Sequence, residues 1–329
     1  MNEKTCLGIE STAHTFGIGI VTGKGKVLAN SMDSFHTKKG GLIPNELRDH
    51  HEKAKEKVLQ NALEKAKIEL KDINLVSFSQ GPGIAPALIV GMEFAKNIAK
   101  KINAPLVGVN HCVAHLEIGK LLTDAKGPVL LYASGANTQI IAFEAGKYRV
   151  FGETLDQGIG NFIDAFARYI GLGFPGGPKI EQLALNGKNY IELPYVVKGM
   201  DVSFSGILTD LKRKYDSKKY DINDLCYSLQ ETAFATLAEV SERAMAHTEK
   251  KELLLGGGVA CNKRLQGMCS IMCKERNAKF FVPERQFLID NGAMISWLGI
   301  LMKELATKNY DKIDIKPYER TDDIKVAWK

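Results

Sequence analysis

The chain has 329 residues, 45% of them hydrophobic and 25% charged, which excludes a disordered or fibrous protein and allows two globular domains of ordinary size. The net charge of +6 is compatible with an anionic partner such as RNA without demanding one. Six cysteines occur with no CxxC pair, and the N-terminal stretch and apolar runs offer neither a signal-peptide core nor a membrane span, so a reduced, soluble, cytoplasmic protein is expected.

In chain order, TCLGIE (residues 5–10) reads as a buried strand followed by the small polar loop Ser11–Thr15. FGIGIV, a TGKG turn and KVLANSM then form a hairpin. The charged, alanine-rich stretch from Glu46 has helical periodicity, INLVSFS is a strand, QGPG a turn, and IAPALIVGMEFAKNIAKK a helix. The short strand APLVGV leads into His111. The order then repeats. PVLLYA is a strand, Ser134–Thr138 a small polar loop, and QIIAFEAGKYRVFGETL a hairpin. Helices are expected around 158–171, 179–187 and 222–248, then the strand ELLLGG, a helix from about Cys261 and the short strand AKFFVP. A last helix begins near Asp290. Cys269 and Cys273 lie on one helix face as reduced, half-buried thiols, and Met294, Trp297 and Leu298 read as a core-facing stripe.

Two copies of one element order predict two α/β lobes facing a cleft, with the strand-end loops turned toward it. The boundaries expected are 1–127 for the N-terminal lobe and 128–304 for the C-terminal lobe, with 305–329 packing back on the first. The loops Ser11–Thr15 and Ser134–Thr138 are rich in small residues whose exposed N–H groups suit phosphate oxygens; the alternative is a pair of ordinary turns.

The stretch VNHCVAHLEIG places His111 and His115 at i and i+4. They are turned by about 400° and lie roughly 6 Å apart along the axis, on one helical face. Such a pair is often only a cap or two partly buried polar groups. In the second copy, however, the corresponding point is Asp290, and a carboxylate arriving there from across the cleft would complete three protein ligands with an open position, the pattern of a catalytic divalent site. Cys112 stands where a zincin HExxH motif carries its general base, which disfavours a metallopeptidase, although Glu117 is close by in sequence.

Nine stretches occur in order: GIESTAHTFGIGIV, SQGPG, VNHCVAHLEIG, YASGANTQ, ETLDQGIGNFIDAFAR, PGGPKIEQLA, SFSGI, GGGVACNKRL and DNGAMI. With them the chain resembles the universal tRNA threonylcarbamoyltransferase family. The ending YERTDDIKVAW is similar to the archaeal and eukaryotic branch, the catalytic subunit of the KEOPS complex. The resemblance implies a two-lobed fold of the actin and heat-shock-ATPase type (ASKHA). It implies one divalent metal, iron or zinc, on His111, His115 and Asp290, with the Tyr132 phenol beside it. It further implies that Tyr132, Ala133, Ser134, Gly135 and Ala136, together with Asp164, Gly177, Glu181 and Asn262, take an adenine nucleotide: threonylcarbamoyl-AMP as substrate, with ATP as another ligand. The implied partners are tRNA and the KEOPS subunits (a small atypical kinase, a small dimerising subunit and an accessory subunit), with no membrane and no DNA. Two departures stand out. The family's SGGNT is SGANT here, so Ala136 restricts the backbone, and its GGIHPR is GGLIPN, so Ile43 and Asn45 replace a histidine and an arginine.

The implied reaction moves the threonylcarbamoyl group to the exocyclic amine of the adenosine 3′ of the anticodon in tRNAs reading ANN codons. That amine is a poor nucleophile, which explains a mixed anhydride with AMP as donor. Glu10, ending the first strand, is a candidate for assisting proton removal. Two competing functions stay open. A small-molecule kinase or ATPase of this fold would need a catalytic aspartate in the first loop, where only Glu10 occurs. A non-catalytic, nucleotide-dependent assembly module would keep its metal as a structural element.

Overall fold

A computed structural model describes residues 4–37 and 41–328. The start of the N-terminal stretch (1–3), the lysines and first glycine ahead of GLIPN (38–40) and residue 329 lie outside the described residues. The chain forms two compact units: Met1–Phe35 with Leu42–Leu122 and Asp290–Lys329, and His36–Gly41 with Thr123–Ile289.

In the first unit, β1 (Thr5–Glu10), β2 (Thr15–Thr22) and β3 (Val27–Ser34) form an antiparallel meander. Helix α1 (Pro44–Ala66) starts on a proline at its first turn, buries Leu47, His51, Ala54, Val58 and Ala62 on one stripe, and stops at Lys67, whose backbone is left-handed (φ 55°). Strand β4 (Leu75–Gly81) then lies parallel beside β1. Helix α2 (Ala85–Ile102) crosses back, and β5 (Leu106–Asn110) lies parallel beside β4 and runs directly into α3 (His111–Leu122). The sheet order is β3-β2-β1-β4-β5. Its core joins Leu7, Ile9, Phe16, Ile18 and Phe78 of the sheet to Val58 and Phe94 of the helices.

The second unit repeats the plan. Strands β6 (Val129–Ala133), β7 (Thr138–Glu144) and β8 (Lys147–Glu153) are an antiparallel meander. Helices α4 (Ile159–Tyr169) and α5 (Gly177–Ala184), the two-residue strands β9 (Val197–Lys198) and β10 (Asp201–Val202), and helices α6 (Ser205–Asp216) and α7 (Ile222–His247) follow. Strand β11 (Glu252–Gly256) is parallel to β6, α8 (Lys263–Glu275) crosses over, β12 (Lys279–Phe281) is parallel to β11, and α9 (Arg285–Leu288) closes the unit. The order β12-β11-β6-β7-β8 has the same neighbours as the first sheet. The four apolar residues Ile159, Phe162, Ile163 and Phe166, at helical spacing on α4, are buried against Leu131, Phe204 and Phe234. The sequence expectation places no element over α6, although Ile207, Leu208, Leu211 and Tyr215 recur there at helical spacing and pack on the core.

The last helix, α10 (Gly292–Leu301), departs from the sequence expectation. The repeat in the sequence places it in the second half, within 128–304, yet it packs on β1, β2 and β4 of the first unit. Glycines make this possible. A Cβ on Gly8 would lie 2.1 Å from the Ser296 nitrogen, one on Gly19 would lie 2.1 Å from the Ala293 nitrogen, and one on Gly292 would lie 2.1 Å from the Gly19 nitrogen. Bare backbone on the strands at Gly8 and Gly19, and on the helix at Gly292, lets helix and sheet approach this closely. The Ser77 hydroxyl donates to the Ile295 carbonyl and that of Ser296 to the Cys6 carbonyl (2.9 and 2.8 Å), closing the polar groups left in this contact. Within the α10 stripe, Met294 and Leu298 are fully buried. Cys269 and Cys273 are free and buried rather than half-buried. No helix among the described residues is long and apolar enough to cross a membrane.

Candidate functional site

The first site forms where β5 becomes α3. Asn110 caps the helix: its Oδ1 accepts from the Cys112 and Val113 nitrogens (3.0 and 3.1 Å), and its Nδ2 donates to Glu319 (3.2 Å). His111 therefore sits at the first helical position and His115 one turn later, with their ring centroids 4.9 Å apart. Both are buried, 4% and 2% exposed. Asp290 immediately precedes the α10 cap residue Asn291, whose side chain accepts from the Met294 nitrogen (3.0 Å). Its Oδ1 lies 3.4 Å from His111 Nε2 and 3.4 Å from His115 Nε2. One ligand atom from each of the three lies within 4.8 Å of the others. Asp290 begins the segment that belongs to the first unit, so the expectation that this carboxylate crosses from the second half is corrected: all three groups stand in one unit.

Behind the imidazoles lies Glu10, fully buried at the end of β1. Its Oε2 is 2.9 Å from His111 Nδ1, while Oε1 accepts from the Thr12 nitrogen (2.7 Å) and hydroxyl (2.5 Å). With Nδ1–H donating to Glu10, it is Nε2 of a neutral His111 that would carry the lone pair, the atom that, like His115 Nε2, lies 3.4 Å from Asp290 Oδ1. This is the carboxylate–histidine arrangement that orients metal ligands. Before a metal binds, the same carboxylates favour a second proton on His111, which the metal would displace. Burial works against a charged His111, but the Glu10 and Asp290 carboxylates outweigh it and hold the imidazole well above its ordinary range. Burial opposes ionised Asp290 too, and the two histidines reverse the balance, holding it well below the usual carboxylate value. Burial and the neighbouring His111 push His115 down, although Asp290 pulls the other way. Two nitrogens and a carboxylate, desolvated and mutually compensated, are a donor set that fits a divalent zinc- or iron-type ion.

The second unit gathers the other sequence-predicted residues. Tyr132 and Ala133 end β6, both buried; Ser134, Gly135 and Ala136 form the loop to β7, with Gly135 and Ala136 exposed. The Ser134 hydroxyl donates to the Asn137 carbonyl (2.9 Å). The loop is braced by the start of α4, where the Gly160 and Asn161 nitrogens donate to the Ser134 and Gly135 carbonyls (3.0 and 2.9 Å). Gly257, at φ +90°, braces it from β11: a Cβ there would lie 2.4 Å from the Ala133 carbonyl oxygen. Asp164 accepts from the Gly176 nitrogen (2.7 Å), next to Gly177, which opens α5. Glu181 accepts from the Lys263 nitrogen (2.9 Å), and Asn262 caps α8 while donating to Gln230 (2.6 Å). Asp164, Gly177, Glu181 and Asn262 are thus tied to the loops after β6 and β11 or to the helices opening beside them.

The family model for TsaD, tRNA N6-adenosine threonylcarbamoyltransferase, matches residues 26–297. The chain belongs to the TsaD family. It is 56% identical over 323 residues to the tRNA N6-adenosine threonylcarbamoyltransferase of Thermococcus sibiricus, covering 98% of this chain and 99% of that protein. It is 50% identical over 324 residues to the probable bifunctional tRNA threonylcarbamoyladenosine biosynthesis protein of Methanocaldococcus jannaschii, of which it spans 60%. Among solved structures, HypF of T. kodakarensis aligns with TM-score 0.63 and 15% identity over 94% of this chain and 48% of that one. The Acidaminococcus fermentans (R)-2-hydroxyglutaryl-CoA dehydratase component A aligns with TM-score 0.58 and 12% identity over 92% and 99%. These neighbours establish the ASKHA-type α/β fold. As a TsaD-family chain, it carries the Glu10–His111 pair and the Asn110 cap, neither of which the sequence reading assigned. An Asn before a helix start was a readable signal; a hydrogen bond between residues 101 positions apart was not.

Proposed function

We infer that the chain transfers the threonylcarbamoyl group of threonylcarbamoyl-AMP to the exocyclic amine of the adenosine 3′ of the anticodon, in tRNAs reading ANN codons. The product is N6-threonylcarbamoyladenosine. The observation that carries this reading is the oriented His111–His115–Asp290 cradle in a chain of this family. In the reaction the amine nitrogen bonds to the carbamoyl carbon, the bond from that carbon to the AMP phosphate oxygen breaks, AMP leaves, and the amine gives up a proton. His111, His115 and Asp290 would hold a zinc or iron ion, which would supply a Lewis-acidic anchor for the oxygen-rich threonyl end.

The chain's own groups do the rest. Glu10 fixes the His111 tautomer. With no exposed surface and both oxygens already accepting hydrogen bonds, it acts through His111 as a positioning residue and not as a base on the amine. The loop Ser134–Ala136, with Tyr132 and Ala133 behind it, is assigned to the nucleotide's phosphate, and Asp164, Gly177, Glu181 and Asn262 to its adenosine. Holding donor and acceptor in register is worth several kcal/mol, on the order of 7–11 at best. On the same reading the chain works in the cytoplasm beside the KEOPS subunits.

Two observations weigh against the competing readings. Glu117, the one carboxylate close to the histidines in sequence, is bonded to Lys120 (2.8 Å) and Trp328 (3.0 Å), which disfavours a peptidase base. The first loop has no aspartate for phosphoryl transfer. The test is to incubate the chain with threonylcarbamoyl-AMP and tRNA, then digest the tRNA to nucleosides and weigh them. An adenosine heavier by one threonylcarbamoyl group is expected. ATP consumption in the absence of tRNA, with no modified nucleoside, would instead identify a kinase or ATPase.

A further inference from the structure

We propose that the exposed face formed by the end of α4 and by α6 docks the phosphate backbone of RNA. The identity of the occupant rests on the tRNA reading above; the surface itself is read from its charges and rings. Residues 210–219, DLKRKYDSKK, carry five basic against two acidic side chains. That surplus of three is half of the chain's net charge of +6. The other lysine-rich helix, α1, carries five of each sign and pairs several along its own length, Arg48 with Asp49 and Lys55 with Glu52. It presents no comparable field.

Both carboxylates of the segment are already engaged inside the patch. Buried Asp210 holds Lys214 and Arg213, and Asp216 accepts from the Tyr169 hydroxyl (2.6 Å). The next two, Asp221 and Asp224, accept from the backbone nitrogens of Asn223 and of Lys188 and Asn189. Lys212 and Lys218 sit instead on aromatic rings. The Lys212 ammonium is 4.9 Å from the Tyr169 ring centre, the Lys218 ammonium is 4.2 Å from that of Tyr215, and the two rings meet edge to face at 6.0 Å. A cation–π seat places an ammonium without neutralising it. Around this core the Arg213 side chain is 79% exposed, and Tyr169 and Tyr220 are each 42% exposed. Lys212 and Lys218, seated on partly open rings, suit phosphates and ribose or base faces, and the exposed Arg213 shares its charge with Asp210 beside them. Lysine is depleted in protein–protein interfaces, so a patch dominated by it favours RNA over an acidic protein.

The test uses the full chain and a transcribed tRNA, with binding followed across a salt series. The triple variant Arg213→Ala/Lys218→Ala/Lys219→Ala is compared with Lys53→Ala/Lys55→Ala/Lys57→Ala on α1, which removes the same charge. The α6 variant is expected to bind on the order of tenfold to a hundredfold more weakly at low salt, with the slope of log affinity against log salt reduced by about two; the α1 variant should lose little. The charge-keeping variant Arg213→Lys/Lys218→Arg/Lys219→Arg should bind as the parent does, which separates charge from folding. Equal losses in both triple variants, or unchanged binding in the α6 variant, overturns the proposal. Modified-nucleoside formation by the parent chain is scored in parallel. If it persists while the α6 variant binds tRNA normally, the surface assignment falls and the transferase reading stands. If the parent forms none, it is the transferase reading that falls.

Discussion

Glu10→Gln changes one atom in the buried chain of hydrogen bonds behind the metal cradle, and its effect can be worked from the geometry. The carboxylate accepts three bonds: from the Thr12 nitrogen, from the Thr12 hydroxyl and from His111 Nδ1. A glutamine amide has only one acceptor oxygen. If its NH2 faces Thr12, it meets the backbone N–H, a donor against a donor. If it faces His111, Nδ1 must become an acceptor, and the imidazole proton moves to Nε2, the atom needed to bind a metal. The second arrangement keeps all three bonds and is the less costly, so the variant should fold while presenting the wrong tautomer. Loss of such an orienting carboxylate weakens metal affinity by roughly 10–100-fold, about 1.4–2.7 kcal/mol. Competition of zinc between the protein and a chelator of known affinity reads this directly, and thermal unfolding of the metal-free protein checks the fold. A metal affinity within about twofold of the parent, in a folded variant, would refute the orienting role.

Asn110→Ala removes the α3 cap and should cost about 1 kcal/mol in denaturant unfolding, more if Glu319 is left without its partner. Gly257→Ala puts a Cβ 2.4 Å from the Ala133 carbonyl at a left-handed φ, so it should both lower the melting temperature and weaken adenine-nucleotide binding measured by calorimetry. His51 is buried, and desolvation together with the His50 charge pulls its pKa from 6.5 down to about 3. Between those values the unfolded chain binds a proton that the folded chain does not. Stability should therefore fall as pH drops below 6.5, by at most about 1.4 kcal/mol per pH unit. His51→Leu should flatten that slope in urea melts. Because His111 holds its proton more tightly than usual, metal uptake must release it; zinc binding measured calorimetrically should weaken as pH is lowered and should liberate protons.

Much of the fold was legible because the two meanders and their parallel partners each carry a local signal. Buried strands such as TCLGIE and PVLLYA are bounded by small polar loops, and the helices have plain periodicity. The i, i+4 spacing of His111 and His115 was likewise local, and it placed both on one face as observed. The misassignment of α10 is instructive. Its apolar residues fit either half, and what decides its place is the pairing of Gly8 and Gly19 with Ser296 and Ala293, at the far end of the chain. A sequence shows each glycine but not which surface it opens to. For the same reason the sequence of Glu10 and its neighbours, Thr12 included, does not show that His111 engages its second oxygen. Helix α6 carries a local signal of its own in Ile207, Leu208, Leu211 and Tyr215, set among the charges that make up the rest of its surface.

The most direct test is a titration of metal-stripped protein with zinc or iron, in the presence of threonylcarbamoyl-AMP and tRNA, with bound metal and N6-threonylcarbamoyladenosine counted in the same samples. Product formation should rise in proportion to metal bound at one site per chain, and should be absent at every metal concentration in His111→Ala/His115→Ala. Full product formation by that double variant, or by the parent stripped of metal, would contradict the account.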